Sequence, residues 1–169
     1  MLIRNINPIK MMPNINKKGY YTYVSKQVFD AEGTAKAREA CTTNWNNKIS
    51  ELNDLMTECR THINQIKSLQ TEIADKVSTL NTFDTDFNTV QNYVDKANIN
   101  FDLIEDNKKC MERLKNELAT MDTNCTTQLA EWKQKYDDAK IARKDAMLEK
   151  KNCSSISKYK TVVEQVWVQ

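Results

Sequence analysis

The sequence predicts an all-α protein: a long helical hairpin or coiled-coil bundle with an extended N-terminal arm and a short β-like C-terminal tail. Residues 34–169 contain neither glycine nor proline, the residues that most often mark turns and interrupt helices. Apolar residues recur through this stretch with alternating spacings of four and three, which is the period of helices that pack side by side. Both glycines and both prolines fall within residues 1–33. These observations divide the chain into an arm, a helical region and a tail.

The predicted arm, residues 1–33, is basic and carries a tyrosine-rich run. Its basic residues all precede the first acidic residue, Asp30, and they are Arg4, Lys10, Lys17, Lys18 and Lys26. This bias is typical of an organellar presequence, but the prolines interrupt any amphipathic helix, and no long apolar core of a secretory signal is present, so we expect no removed leader. The run at residues 20–24 is typical of a short strand.

The arm could be an unattached tail or a segment that lies on a neighbouring protein. Exposed tyrosines are common anchors in protein interfaces, and an extended segment can add a strand to the edge of a sheet. We therefore predict Tyr20, Tyr21 and Tyr23 as partner-binding residues. The composition does not favour binding of nucleic acid by the lysines, because the basic residues are few and the net charge of the chain is only +2.

The helical region, residues 34–152, carries a heptad-spaced apolar stripe. Its first part consists of Trp45, Ile49, Leu52, Met56, Cys59, Ile63, Ile66, Ile73, Val77 and Leu80. Gln70 is the polar residue within this stripe, and a single polar residue there usually fixes the register of the packed helices. The aromatic residues Trp45, Trp132 and Tyr136 lie on the stripe and are expected to pack in the core.

The stripe slips by three residues after Leu80 and resumes at Phe83. Either one helix is locally overwound there, or the chain turns. Weak helix formers at residues 81–86, 98–100 and 122–124 would allow a turn, so we predict a hairpin that turns within residues 81–107.

The position of the turn decides which distant residues meet. A turn near residue 84 would bring Cys59 close to Cys110, whereas a turn near residue 95 would bring residues 20–24 to residues 162–168. The tail, residues 153–169, ends in β-branched and aromatic residues and is either a last helical turn or a strand. We predict a strand over residues 161–168, and Trp167 is a further predicted partner-binding residue.

The sequence offers little for catalysis or metal binding. Its five cysteines are odd in number and include no C-x-x-C pair, so we expect reduced thiols that pack as small apolar residues. His62 is the only histidine, and with Cys59 it could supply half of a metal site, but no matching half is evident. We expect Cys59 to lie in the stripe and His62 on an exposed flank. No glycine-rich phosphate loop can be built. We therefore predict no enzyme, and no catalytic, metal or cofactor site.

An amphipathic helix cannot bury its stripe alone, so the predicted function is to hold other proteins together. The first hypothesis is a non-enzymatic structural protein, a helical strut or clamp that links neighbouring subunits of a large assembly. Its richness in asparagine, lysine and isoleucine suits an AT-rich virus or phage and makes a minor capsid or tail component the most concrete form. The alternative is a cytoplasmic coiled-coil adaptor or tether that binds another helical protein. Self-association through the stripe would serve either function, and we expect no small-molecule substrate, no membrane span, and an intracellular, cytoplasmic or virion location.

Overall fold

The computed structural model describes residues 18–97 and 102–169, and this part of the chain is mostly helical. The order of elements is β1 (Tyr20–Phe29), α1 (Ala31–Lys96), α2 (Asp102–Asn152), a 3-10 turn (Cys153–Ser155) and β2 (Tyr159–Val168). Two long helices and a β-strand in the C-terminal tail are thus confirmed. The mostly helical character predicted for the chain is confirmed, and in addition β1 and β2 pair as a short two-stranded antiparallel sheet.

The chain divides into two compact units. The first unit, which we call the ribbon unit, combines residues up to Thr42 with Asn152–Gln169 and contains the sheet. The second, the helical unit, spans Thr43–Lys151. The predicted basic residues Arg4, Lys10 and Lys17 lie outside the described residues.

Helix α1 begins at Ala31, three residues before the predicted boundary at Thr34. The side chain of Asp30 explains the earlier start, because its Oδ1 accepts a hydrogen bond from the backbone N–H of Gly33 at 3.1 Å and so caps the first turn. A Cβ atom at position 33 would collide with the Asp30 carboxylate. Gly33 lies inside the helix, and its lack of a side chain lets the Asp30 carboxylate approach the backbone closely enough to cap the first turn.

Helices α1 and α2 of the helical unit pack antiparallel. Arg60 donates to the Tyr136 hydroxyl at 2.7 Å, and Gln70 donates to the Thr126 hydroxyl at 3.3 Å. Further along α1, Asp84 forms an ion pair with Lys115. The partner on α2 moves back along the chain as the position on α1 moves forward, which defines a hairpin. Gln70 thus bonds across the two helices, and its role in fixing register stays a prediction.

The apolar stripe forms two clusters between the helices. One contains Leu52, Met56, Ala139 and Ala146, with Trp45, Ile49 and Tyr136 packed against it. The other contains Ile66, Ile73 and Cys125, with Val77, Leu118, Leu129 and Trp132 packed against it. The expectation that the two tryptophans and Tyr136 pack in the core is confirmed.

Helix α1 continues without interruption through residues 81–86, so the slip in the stripe lies inside one helix. The hydroxyl of Thr82 donates to the backbone carbonyl of Ser78, and that of Thr85 donates to Asn81, so these poor helix formers satisfy their side chains within the helix. Residues 122–124 likewise lie inside α2. The third predicted weak point, residues 98–100, lies outside the described residues. Over the described residues, neither helix contains an apolar stretch long enough to cross a membrane.

Candidate protein-interaction surface

The two strands pair over their whole lengths, from Tyr20 opposite Val168 to Phe29 opposite Tyr159. Residues directly opposite each other in an antiparallel pair project from the same face of the sheet, and successive residues alternate between faces. The register therefore assigns each side chain of the ribbon to one of two faces.

One face is aromatic and uncharged, and we call it the aromatic face. Its cross-strand pairs are Tyr21 with Trp167, Tyr23 with Gln165, Ser25 with Val163, Gln27 with Thr161, and Phe29 with Tyr159. The rings of Tyr21 and Trp167 meet edge to face with centroids 4.9 Å apart, and those of Phe29 and Tyr159 do so at 6.1 Å. Gln27 also donates to the Thr161 hydroxyl at 2.8 Å. These contacts fix the side chains of the aromatic face relative to one another.

The opposite face, which we call the charged face, carries the three charged residues of the strands, Lys26, Lys160 and Glu164. Lys26 and Glu164 form an ion pair across the strands at 2.5 Å. Both side chains are about half exposed, so this pair contributes little stability, on the order of 0–1 kcal/mol. Its position matters more than its energy, because it places the charges of the strands on one face and leaves the other face without charge.

The large side chains of the aromatic face are exposed. Tyr23 is 72 % exposed, Tyr159 is 64 % exposed and Val163 is 58 % exposed, and Trp167 is half-buried. Gly19 contributes to the partial burial of Trp167, since a Cβ atom at position 19 would overlap the indole ring. An uncharged patch with several exposed aromatic side chains has the composition of a protein-binding surface.

The four predicted partner-binding residues all lie on the ribbon, but the structure does not bring them all together. Tyr21, Tyr23 and Trp167 share the aromatic face, while Tyr20 lies on the charged face opposite Val168. Sequence reasoning missed Phe29, Tyr159 and Val163, which complete the aromatic face. A register for the two strands would have identified them, because alternate residues then fall on one side.

A series of contacts along the first turns of α1 holds the returning chain at the base of the ribbon. Asp30 donates its backbone N–H to the carbonyl of Lys158 at 2.9 Å, and Arg38 Nε donates to the carbonyl of Ile156 at 2.8 Å. Between them, the Thr34 hydroxyl accepts the N–H of Lys158 at 2.9 Å. Cys41, one turn further along, is bonded to Cys153. The ribbon is thus anchored to the helix at successive turns.

The disulfide between Cys41 and Cys153 corrects the expectation that all five cysteines are reduced. Their Cα atoms lie 5.8 Å apart, which is within the usual range for a disulfide. Cys59, Cys110 and Cys125 are free thiols. The earlier expectation failed because it was drawn from the number and spacing of the cysteines, which do not show that residues 41 and 153 meet in the folded chain.

Cys59 and His62 lie in different surroundings. Cys59 is fully buried, and this burial, with the neighbouring Glu58 carboxylate, raises the pKa of its thiol above the ordinary value of 9.0. A nucleophilic cysteine needs the opposite shift. His62 is half-buried rather than on an exposed flank, and its ring stacks on Trp132 with centroids 4.0 Å apart. No group of three or more metal-binding side chains occurs among residues 18–97 and 102–169.

Comparison with known proteins gives no relative from which a function could be transferred. The chain matches no family model, no curated protein and no solved structure. The surfaces of the two units are therefore the basis on which function is argued.

Proposed function

We propose that this protein is a non-enzymatic structural component that links neighbouring subunits of a large assembly, and that the aromatic face of the ribbon is its docking surface. The observation that carries the proposal is the separation of the two faces. Every charged residue of the strands lies on one face, and five of the six aromatic side chains of the strands lie on the other. Antiparallel sheets that have one covered face show such a separation.

The energetics of a two-stranded ribbon support the same conclusion. An isolated pair of strands is marginally stable in water, and it becomes stable when one face packs on a further structure. Tyrosine and tryptophan are also the residues that most often dominate the binding energy of interfaces. A partner that covers Tyr21, Tyr23 and Trp167 would therefore gain affinity and stabilise the ribbon at the same time.

The disulfide bears on where such an assembly would be found. Structural disulfides persist in oxidising surroundings and on particle surfaces and are rare in the cytosol. Cys41–Cys153 therefore favours a particle over a cytoplasmic complex. In its most concrete form the proposal is a minor capsid or tail component of a virus or phage, a form supported by the composition of the chain. The partners are then other protein subunits of the particle.

Two matched substitutions test the docking surface. Tyr23→Ser removes a ring from the aromatic face, and Tyr20→Ser removes a ring of similar exposure, 63 % against 72 %, from the charged face of the same strand. Each tagged variant is produced in the source cells beside the wild-type chain, and the fraction that sediments with large particles is measured. We expect Tyr23→Ser to lower this fraction about tenfold, the effect of a typical hot-spot residue, and Tyr20→Ser to leave it nearly unchanged.

Equal behaviour of the two variants would contradict the assignment of the docking face. A wild-type chain that never sediments with particles would contradict the linking function itself. Circular dichroism of each purified variant shows whether the helices are intact, so a loss through misfolding is recognised.

The alternative, a coiled-coil adaptor or tether that binds another helical protein in the cytoplasm, is favoured by exposed apolar residues on the helical unit, among them Leu69, Phe83 and Leu114. It predicts a discrete complex of low mass and a ribbon that is not needed for binding. Sedimentation of the wild-type chain and of Tyr23→Ser separates the two functions, because an adaptor would stay in the low-mass fraction in both cases.

A further inference from the structure

Helix α1 carries a wider apolar face than one partner helix can cover. Leu52, Cys59, Ile66 and Ile73, spaced by seven residues, are buried against α2. A second column with the same spacing lies beside the first, and its apolar members are Leu55, Leu69, Phe83 and Val90. These four side chains are all exposed, and Phe83 is 49 % exposed.

Helix α2 carries a shorter exposed column on the same side of the hairpin. Leu114 and Met121 are 38 % and 45 % exposed, although they lie beside the half-buried Leu118. Together the two helices form an apolar groove, which is lined by Lys76, Thr79, Leu80, Leu114, Glu117, Leu118 and Met121. The groove is thus a continuous surface built from both helices of the hairpin.

The other half of the helical unit closes the same flank with its own side chains. There the ring of Trp132 is stacked by His62, and the Lys135 ammonium lies 4.3 Å from its centroid. Apart from Leu55, the open positions of the column lie on the Leu80 and Leu114 side of the Trp132 stack. The apolar groove therefore occupies a defined part of the two helices.

We infer that this groove binds the same groove of a second copy of the chain, so that two hairpins form a four-helix bundle. Helix α1 has apolar residues at three of the seven positions of its heptad, which is typical of helices in bundles. A contact between only two helices needs apolar residues at two of the seven positions. Since both helices present their open columns on one side, the groove fits another hairpin better than a single helix.

The charges of the groove support a second copy as the occupant. Lys76 lies on the α1 wall and Glu117 on the α2 wall. In a dimer with two-fold symmetry, any contact made by residue i of one copy with residue j of the other is made twice. A two-fold axis parallel with the helices places α1 of one copy beside α2 of the other, and each Lys76 then faces a Glu117 of the second copy. The groove is complementary to itself in charge as well as in apolar character.

The inference goes beyond the proposed function, because it concerns the helical unit and shares no residue with the aromatic face. Its test is the mass of the purified chain in solution, measured by light scattering across a range of concentrations in a Cys110→Ser background. That background removes an exposed thiol that could link two copies covalently. We expect a dimer, and we expect Tyr23→Ser to leave its mass unchanged.

Charge exchange makes the test specific for the groove. Lys76→Glu and Glu117→Lys should each weaken the dimer about tenfold, because each creates two like-charge contacts, and the double exchange should restore it. Lys67→Glu and Glu112→Lys are the matched controls. Lys67 and Glu112 directly follow the buried residues Ile66 and Met111 and are exposed on the other flank of the hairpin. Their substitution should therefore leave the affinity of the dimer unchanged.

A wild-type chain that remains monomeric at all concentrations would overturn the inference. A double exchange that is as weak as the single exchanges would overturn the proposed pairing of Lys76 with Glu117. Neither result would affect particle association through the aromatic face, so the two proposals can fail separately.

Discussion

At the scale of single residues, Thr34 shows how one side chain joins the ribbon to the helix. It is the buried polar residue of the described chain, with 3 % exposure. Its hydroxyl accepts the N–H of Lys158 at 2.9 Å and lies 3.5 Å from the carbonyl oxygen of the same residue. A buried hydroxyl that satisfies a backbone group is stabilising, because the group would otherwise be left without a partner in a site closed to water.

We predict that Thr34→Val destabilises the chain by about 1–3 kcal/mol, since the substitution keeps the shape of the side chain and leaves the Lys158 N–H unpaired. Thr71→Val is the matched control, because the Thr71 hydroxyl is exposed and bonds only to the Lys67 carbonyl of its own helix. The control should change stability by no more than about 0.5 kcal/mol. Denaturant unfolding of both variants measures the difference, and equal losses would contradict the role of Thr34.

The thiol of Cys59 gives the helical unit a pH dependence. Burial raises its pKa in the folded chain above the ordinary value of 9.0, so the folded state retains a proton that the unfolded state releases. The resulting contribution to stability is complete below pH 9 and is lost as the pH rises towards the raised pKa.

We therefore predict that the free energy of unfolding falls more steeply above pH 9 in the wild-type chain than in Cys59→Ala. The comparison uses the slope of the free energy of unfolding against pH, because Cys59→Ala also loses packing energy at every pH. Denaturant unfolding at pH 7 to 10.5 measures both slopes. Equal slopes in the wild-type chain and in Cys59→Ala would show that the Cys59 thiol has the same pKa in the folded and the unfolded state.

At the scale of elements, the strands depend on the helix more than the helix depends on the strands. Helices α1 and α2 have their own apolar clusters in the helical unit. The two strands instead rely on each other and on the contacts at Asp30, Thr34 and Arg38. The disulfide closes a separation of 112 residues at the base of this arrangement. A cross-link over so long a loop removes much of the conformational freedom of the unfolded chain.

We predict that Cys41→Ser with Cys153→Ser lowers stability by about 4–5 kcal/mol and exposes the backbone amides of β1 and β2 to exchange. Amides of the helical unit should keep more of their protection, because their clusters contain neither cysteine. Hydrogen exchange followed by mass spectrometry measures both, and Cys110→Ser is the control. If the amides of β1 and β2 stay protected in the double variant, the strands do not depend on the disulfide at their base.

The sequence pattern predicts some of these elements and misses others, and each outcome has a physical reason. The absence of glycine and proline after position 33 and the heptad spacing were sufficient for two long helices, and the β-branched and aromatic residues of the tail were sufficient for its strand. The start of α1 was missed because the Asp30 cap acts from outside the apolar pattern. The disulfide was missed because the pairing of Cys41 with Cys153 depends on the position of the turn, which the slip after Leu80 left open. The aromatic face was only partly predicted, because a shift of one residue in register would exchange the two faces.

At the scale of the whole molecule, the chain combines a helical unit with its own core and a ribbon unit whose aromatic face is uncovered in the described residues. The ribbon is held by backbone hydrogen bonds and a disulfide, and this anchorage suits a surface that has to keep its shape while it binds. The groove of the helical unit is the second contact surface that we propose. In the proposed function, the two surfaces together link copies of the chain to other subunits of a particle.

Hydroxyl-radical footprinting of the isolated and the assembled chain tests the central claim most directly, because it measures the accessibility of each tyrosine. The account predicts that Tyr23 and Tyr159 of the aromatic face become strongly protected on assembly, while Tyr20 of the charged face stays reactive. Equal reactivity of Tyr23 in the isolated and assembled chain, or protection of Tyr20 in its place, would contradict it.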